Sequence, residues 1–345
     1  MNKHAPFPLA LLIICLLGSL AIAAYLAWPD QTPKTAPSNI EIVATIKPIH
    51  SLVEAILGET GHATLLISGG ASPHTFSLKP SHATALARAD LVVWVGPDLE
   101  RFLAASLENV AAEAKHLAVG EVDGLAIYPA RAGGAWTHQH RNDEHEEDEA
   151  ESDHGEGTHV EETHDESEHL TNDPHIWLDP QNAIIMATVI EKALMEIYPD
   201  HTETFTRNAT GLRTDLELLD AELKLQTAPV KDRPFFVFHD AYQYFERRYD
   251  LSPLGAITAT PDLSPGARRI QDLRNTGDAN AHICVFAEPQ FEPRTMRLLT
   301  EGRNATLAYL DPLGSQIEEG PGQYSAMLRA LTDSLVTCLS KSTPD

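Results

Sequence analysis

Histidines set among carboxylates are the part of this sequence with the clearest chemical potential. Residues 138–169 contain seven histidines (138, 140, 145, 154, 159, 164 and 169) within a run of Asp and Glu. Imidazole and carboxylate groups are the ligands that divalent transition metals take from proteins. The run lacks the apolar residues needed to bury a core, so the sequence predicts a disordered loop over 138–171 that binds metal weakly.

Three further histidines lie where strand-end loops are expected. His74 lies in GGASPHTFSLKPS, His175 in NDPHIWLDP and His239 in FFVFHDAYQYF, while Asp311 has a similar position in LAYLDPLG. In open α/β sheets, ligands bind at the carboxyl ends of the strands. A single histidine at a strand end is most often only hydrogen-bonded. Three of them, with a histidine-rich run leading into His175, favour a metal site.

Short apolar strands alternate with helices on both sides of the run. Before it, we predict strands at 40–46, 64–67, 91–95 and near 117, and helices at 51–57, 81–89 and 98–110. After it, we predict strands at 235–238, near 257, at 283–287 and 306–310, and helices at 182–197, 200–227, 242–249, 265–275 (capped by Ser264), 293–302 and 323–339. This alternation indicates an α/β protein with two lobes of parallel sheet flanked by helices and joined by one long helix.

The same pattern divides the chain into segments. Residues 1–28 contain a long apolar run and are predicted to be a signal peptide or an uncleaved N-terminal anchor. Residues 29–39 are a polar, proline-rich tether. The N-terminal lobe is predicted at 40–199, the linking helix at 200–228 and the C-terminal lobe at 229–345.

Charge and cysteine content limit the possible binding partners of the protein and indicate its cellular compartment. The formal net charge is −25, of which residues 141–173 carry −14 and the remainder −11. Such a surface repels a phosphate backbone, so nucleic-acid binding is excluded. Cys15 lies in the export segment, which leaves Cys284 and Cys338. An even pair in an exported chain favours a disulfide, with two separate buried thiols as the alternative.

Several segments occur in a fixed order along the chain: GGASPHTFSLKPS, ADLVVWVGPDLE, DPHIWLDP, FVFHDAYQYFE, CVFAEPQF and LDPLG. Together they resemble the zinc-uptake periplasmic binding proteins of the ZnuA type, in the metal-binding branch (cluster A-I) of ABC-transporter solute-binding proteins. The resemblance covers residues 40–340. It implies two similar lobes, a rigid connecting helix, one metal ion in the cleft between the lobes, and a disulfide between Cys284 and Cys338.

The resemblance also implies the metal ligands, which fall on His74, His175 and His239. In the family the fourth position is an aspartate, a water or a glutamate. The glutamate position is occupied here by Pro73, so Asp311 or a water is expected to complete the shell. Three imidazoles favour Zn²⁺ over a harder ion such as Mn²⁺.

Other polar residues near these segments have weaker predicted roles. Asp173, Asp179 and Asp240 are candidates to orient the imidazole rings, with helix capping or turn formation as the alternative. The remaining histidines outside the run are expected to be surface or structural residues: 50, 62, 82, 116, 201 and 282.

The expected function is periplasmic capture of Zn²⁺ and its delivery to an inner-membrane ABC permease with a cytoplasmic ATPase, for high-affinity zinc uptake. A monomer is expected, and an auxiliary periplasmic zinc chaperone is a further candidate partner. One alternative is a binding protein for Mn²⁺ or Fe²⁺. Another is a zinc hydrolase, since three histidines with an open position also describe a catalytic zinc. The chain has no HExxH segment and no evident general base, so we expect no enzyme activity.

Overall fold

The computed structural model describes residues 39–131, 136, 172–261, 265–276, 282–292 and 294–341. The predicted export segment, nearly all of the tether, the histidine-rich run and Ser264 lie outside these residues. Among the helices of the described part, none is long and apolar enough to cross a membrane.

The first half of the chain forms a parallel sheet of four strands in the order β2-β1-β3-β4. The two central strands, β1 and β3, are completely buried, as expected for a parallel sheet covered on both faces. The strands are β1 (Ile42–Ala44), β2 (Ala63–Leu65), β3 (Leu91–Trp94) and β4 (Lys115–Ala118). The helices are α1 (Lys47–Leu57), α2 (Pro80–Arg88) and α3 (Arg101–Asn109).

Two long helices follow and pack against each other and against α1. Helix α4 (Pro180–Ile197) begins at a proline, and the Asp179 side chain caps it by accepting a hydrogen bond from the Gln181 amide at 2.8 Å. Helix α5 (Thr202–Thr227) is the longest of the described helices. Its buried apolar residues recur at helical spacing along one face and are Phe205, Ala209, Leu216, Leu219 and Leu223.

The second half forms another parallel sheet of four strands, in the order β6-β5-β7-β8. Successive residues of β5 point to opposite faces, so Phe235 and Val237 join the main core while Phe236 and Phe238 join a smaller one. The strands are β5 (Phe235–His239), β6 (Pro253–Thr258), β7 (Ile283–Ala287) and β8 (Ala305–Tyr309). The helices are α6 (Gln243–Arg248), α7 (Ala267–Arg274), α8 (Arg294–Thr300) and α9 (Gln323–Leu339).

The two sheets are connected by more than the long helix. Helix α9, the last element, packs against α1, and one continuous hydrophobic core includes residues of both sheets. The buried Lys47 ammonium donates to the carbonyl oxygens of Ser315 at 3.0 Å and Ile317 at 2.8 Å, in the loop after β8. The Trp177 indole donates to the Pro312 carbonyl at 2.7 Å in the same loop. These contacts fix the separation of the two halves.

The predicted fold class is confirmed, and the differences lie at the ends of elements. The long helix, predicted at 200–227, begins at Thr202, and the closing helix spans the predicted 323–339. The first helix begins at Lys47 rather than at the predicted residue 51, because Pro48 is well placed in a first helical turn. The division into lobes at 40–199, 200–228 and 229–345 stays a prediction.

The predicted disulfide between Cys284 and Cys338 is present and joins β7 to α9. Both cysteines are buried, and they are 54 residues apart in the chain. A cross-link that closes a loop of this length restricts the unfolded chain and so stabilises the folded state by about 4 kcal/mol in the chain-entropy model.

Replacing both cysteines (Cys284→Ala with Cys338→Ala) is expected to lower the free energy of unfolding by about 4 kcal/mol, because the unfolded chain regains its conformational freedom. Denaturant unfolding measures this change. Wild-type protein unfolded under reducing conditions is the control that keeps the side chains and loses only the bond. Equal stability of the oxidised and reduced wild type would contradict the prediction.

Glu100 is a fully buried carboxyl group that follows β3. Its Oε2 atom accepts hydrogen bonds from the amides of Val95 at 2.8 Å and Gly96 at 3.0 Å. Burial raises the pKa of Glu100 from 4.5 to about 7, although these hydrogen bonds oppose the shift. The folded state therefore holds a proton that the unfolded chain has lost, between about pH 4.5 and 7.

This raised pKa predicts a pH-dependent stability. The contribution of Glu100 is fully present below about pH 4.5 and falls by about 3 kcal/mol as the pH rises through about 7. The uncharged Glu100→Gln variant should therefore gain stability relative to wild type between pH 5 and 8, as measured by denaturant unfolding. Glu108→Gln, at an exposed position of α3, is the control. A constant difference between Glu100→Gln and wild type would refute the prediction.

Candidate metal centre

Three histidines from separate parts of the chain meet in the described structure. His74 lies in the loop after β2, His175 precedes a short 3-10 turn (Ile176–Leu178) that leads into α4, and His239 is the last residue of β5. Their potential ligand atoms all lie within 4.8 Å of one another. Across the described residues, this is the one group of three or more His, Cys, Asp or Glu that is close enough to hold a metal ion.

The three imidazoles direct the same ring atom at one another. His175 Nε2 lies 3.2 Å from His74 Nε2 and 3.3 Å from His239 Nε2. Nitrogen ligands at about 2.0–2.1 Å from a tetrahedral zinc ion are separated by about 3.3 Å. The nitrogen spacing in this structure therefore matches two edges of a zinc coordination tetrahedron.

Asp173 fixes the orientation and the tautomer of His175. One Asp173 oxygen accepts hydrogen bonds from His175 Nδ1 at 2.7 Å and from the His175 backbone amide at 3.0 Å. The other oxygen accepts from the Gln243 side chain at 3.2 Å. Because the carboxylate accepts, the proton of the neutral ring is on Nδ1, and Nε2 presents a lone pair.

Glu288 fixes the orientation and the tautomer of His239 in the same way. It follows β7 directly, it is buried, and its Oε1 atom accepts a hydrogen bond from His239 Nδ1 at 2.6 Å. The Nε2 atoms of neutral His175 and His239 therefore both carry lone pairs, and these face each other across 3.3 Å. Two such lone pairs repel unless a cation lies between them, so the arrangement is built to accept a positive charge.

The surroundings shift the histidine pKa values in different directions. Burial lowers the pKa of His74 and of His175 well below 6.5, and the charges of neighbouring histidines lower both further. Burial also opposes protonation of His239, but the adjacent Glu288 carboxylate outweighs it and raises the His239 pKa. His74 and His175 are consequently neutral at pH 7, which is the form that binds metal.

A cavity with about 270 Å³ of empty space adjoins the three histidines. Its wall is largely apolar, and three of its lining residues have a side-chain oxygen: Ser72, Glu288 and Gln290. The other lining residues are Pro73, His74, His175, Trp177, His239, Phe291, Pro312 and Leu313. An apolar wall lowers the local dielectric constant and strengthens the electrostatic attraction between the imidazoles and a cation.

Comparison with known proteins now identifies the family. Residues 42–338 match the family model described as ZnuA, zinc-uptake complex component A, periplasmic. The chain belongs to the ZnuA family. It is 42% identical over 306 residues to the high-affinity zinc uptake system protein ZnuA of Brucella suis, covering 87% of this chain and 92% of that one. The ZnuA of Yersinia pestis is 34% identical over 320 residues, with 93% and 96% covered.

Solved structures agree with the ZnuA fold. A crystal structure of a ZnuA deletion mutant with zinc bound is 25% identical, has a TM-score of 0.68, and covers 88% of this chain and 100% of its own. The periplasmic zinc-binding protein TroA from Treponema pallidum has a TM-score of 0.67 at 19% identity, with 88% and 100% covered. At that identity, TroA supports the fold alone.

Of the four ligand residues predicted from the ZnuA resemblance, the structure brings together the three histidines but not Asp311. The two Asp311 oxygens accept hydrogen bonds from the Gln290 amide group, the Leu313 amide, and the amide and hydroxyl of Ser315. Asp311 thus organises the loop after β8. Whether it or a water completes the shell stays a prediction. The six other histidines listed above lie outside the group.

The three aspartates proposed to orient the rings have different roles. Asp173 binds His175, whereas Asp179 caps α4 and Asp240 pairs with Arg131. Glu288 was not among the predicted residues, although it stands directly after an apolar strand in CVFAEPQF. Its position at a strand end, the same signal that indicated His239, could have identified it.

Arg131 is a second residue that the sequence did not indicate. Its guanidinium group donates to Asp240 and, at 2.7 Å, to Glu246, and it stacks on the Trp136 ring. Both carboxylates are nearly buried. Burial raises the pKa of Glu246 to about 7 even though Arg131 opposes the shift. Since Asp240 follows His239 directly, Arg131 supplies the positive charge that holds this acidic cluster beside His239.

Replacing the guanidinium (Arg131→Met) is expected to lower the free energy of unfolding by about 3 kcal/mol or more, because it leaves buried carboxylates without their partner. The loss should be larger at pH 8 than at pH 6. Folding raises the Glu246 pKa, so the stability contributed by that group declines as the pH rises through about 7.

Denaturant unfolding at the two pH values measures both effects. The matched control is Arg329→Met, which breaks an exposed ion pair with Glu222 and should cost less than about 1 kcal/mol. If the Arg131 and Arg329 variants unfold alike, the buried cluster does not need its cation.

Proposed function

We propose that this chain captures Zn²⁺ with His74, His175 and His239 and delivers it to the permease of an ABC transporter for high-affinity zinc uptake. The observation that carries the proposal is the convergence of three Nε2 atoms, with that of His175 lying 3.2 Å from that of His74 and 3.3 Å from that of His239. Asp173 and Glu288 orient two of the three rings, which favours a cation at one point. Membership of the ZnuA family supplies the transport role.

The donor set favours zinc over manganese and iron. A binding protein with bound Mn²⁺, FpvC from Pseudomonas aeruginosa, has a TM-score of 0.68 against this chain at 17% identity, so the fold alone does not select the ion. A donor set of three imidazoles favours zinc, because nitrogen ligands suit Zn²⁺ whereas Mn²⁺ prefers carboxylate and other oxygen ligands. The two nearest carboxylates, Asp173 and Glu288, bind ring N–H groups and are less available to a hard ion.

A hydrolytic role is less well supported. A catalytic zinc needs a general base within reach of its water. Among the described residues that line the cavity, the one carboxylate is Glu288, and its Oε1 atom already accepts from His239. We therefore assign the site to binding and release of the ion rather than to chemistry on a substrate.

The family also supports a periplasmic location and a partnership with a permease and its ATPase. Retention at the inner membrane by residues 1–28, a monomeric state and an auxiliary zinc chaperone stay predictions. The histidine-rich run lies outside the described residues, and its weak zinc binding stays a prediction as well. The residues that flank it are close to the centre, since Asp173 binds His175 and Arg131 binds Asp240.

Alanine substitution of any of the three histidines should weaken zinc binding about 100-fold or more, since each ligand contributes about 3 kcal/mol to a zinc site. Competition with a chromophoric chelator measures the dissociation constant. His116→Ala, on an exposed part of β4, is the matched control and should bind as the wild type does.

Deleting residues 138–169 tests the histidine-rich run while leaving the three histidines in place. Under this proposal the tight site survives the deletion, while weaker additional binding is lost. Loss of all tight binding on deletion, with normal binding by His74→Ala, would place the site in the run and refute the proposal. Tight zinc binding accompanied by ester or peptide hydrolysis would favour the enzyme alternative.

A further inference from the structure

Gln290 is one of the residues that line the cavity beside the three histidines, and its side-chain oxygen is buried and accepts no hydrogen bond. We infer that Gln290 Oε1 accepts a hydrogen bond from a water molecule bound at the fourth position of the zinc ion. This inference rests on the proposed function. It assigns Gln290 as a positioning residue for that water, and Asp311 as the residue that orients Gln290.

The orientation of the Gln290 amide group is fixed by the hydrogen bond that its nitrogen donates to Asp311. Gln290 Nε2 donates to Asp311 Oδ1 at 2.7 Å, and an ionised carboxylate can only accept. The amide therefore cannot be turned over without placing its oxygen against the carboxylate. Oε1 is consequently the free end, and it is an acceptor.

Asp311 is poorly placed to be the fourth ligand itself. Its oxygens offer about four lone pairs, and four donors use them. Besides Gln290, these are the Leu313 amide at 3.1 Å, the Ser315 amide at 2.6 Å and the Ser315 hydroxyl at 2.7 Å. Direct coordination of zinc would displace at least one of these donors from the loop to which Lys47 and Trp177 are anchored.

The other two lining residues with a side-chain oxygen already make hydrogen bonds. Ser72 Oγ accepts from the His74 backbone amide at 3.3 Å, and Glu288 Oε1 accepts from His239 at 2.6 Å. Gln290 Oε1 has no partner and exposes almost no surface, although buried polar atoms are nearly always hydrogen-bonded. A hydrogen-bond donor that enters the cavity together with the zinc ion would provide Gln290 Oε1 with a partner.

Zinc supplies such a donor. Three imidazoles leave one position of a tetrahedral shell open, and a water in that position has two protons to donate. A neutral amide is a suitable acceptor for cargo, because it holds the water without adding a negative charge that would strengthen retention of the ion. The water can then be displaced when another ligand takes the zinc.

Two other glutamines show that an unpartnered oxygen alone does not indicate this role. Gln226 on α5 and Gln323 on α9 also have buried Oε1 atoms without a partner, but neither lines the cavity. Gln226 resembles Gln290 further, because its Nε2 donates to a carboxylate, that of Glu222, at 3.3 Å. It therefore offers a matched control.

The test compares Gln290→Met, which keeps the length and loses the acceptor, with Gln226→Met and with wild type. Zinc affinity is measured by chelator competition and the ligand field by the visible spectrum of the Co²⁺-loaded proteins. Gln290→Met should bind zinc about 10-fold to 100-fold more weakly and change the cobalt spectrum. Gln226→Met should change neither, whatever its effect on stability.

A crystal structure of the zinc-loaded wild type provides the direct measurement. It should show a water on the zinc with its oxygen about 2.5–3.0 Å from Gln290 Oε1. Zinc bound directly to Asp311 or to Gln290 would overturn the inference. So would a cobalt spectrum that changes in Asp311→Asn but not in Gln290→Met.

These outcomes are distinct from failure of the proposed function. If the wild type does not bind zinc tightly, or if His74→Ala binds as tightly as wild type, the proposed function fails. If wild type binds tightly and needs its histidines, while Gln290→Met matches it in affinity and in cobalt spectrum, the role of Gln290 alone is refuted.

Discussion

The structure depends on holding the Nε2 atoms of His175 and His239 3.3 Å apart, a spacing at which two neutral rings repel each other unless a cation lies between them. Asp173 and Glu288 impose this by accepting the opposite ring protons of His175 and His239, so neither ring can relieve the repulsion by changing tautomer. Repulsion between the two lone pairs raises the free energy of the empty site, and a cation between them replaces that repulsion with attraction. This preorganisation favours a cation at the point where the two Nε2 atoms converge.

The surrounding protein resists the relaxation that this repulsion would otherwise cause. His239 ends a strand that is buried on both faces, and Glu288 follows its neighbour in the sheet. His175 is held through Asp173, and the adjacent Trp177 is anchored to the loop after β8. Since one hydrophobic core includes both sheets, His175 and His239 cannot separate without disturbing that packing.

The sequence was sufficient to predict the layout of the fold and the meeting of His74, His175 and His239 in one place, while their role as metal ligands stays a prediction. Periodicity places β5 and α9 within a few residues of their observed ends, and the strand-end rule selects His239. What it could not predict depends on tertiary contacts. Arg131 is distant in sequence from Asp240, and the same strand-end rule that selects His239 also selects Asp311. The donors that occupy Asp311 follow it in a Pro-Leu-Gly-Ser turn, a signal of local loop structure that competes with metal binding.

The packing of α9 against α1 also has a consequence for the order of folding. Helix α1, the first of the described helices, lacks part of its packing surface until α9 has been synthesised, and the disulfide to Cys338 can close only then. Many native contacts therefore join residues that are far apart in sequence, and such contacts slow folding. Folding can be completed only after the C-terminal helix has been synthesised. The face of α1 that α9 covers therefore stays exposed until the C-terminal segment is available to pack on it.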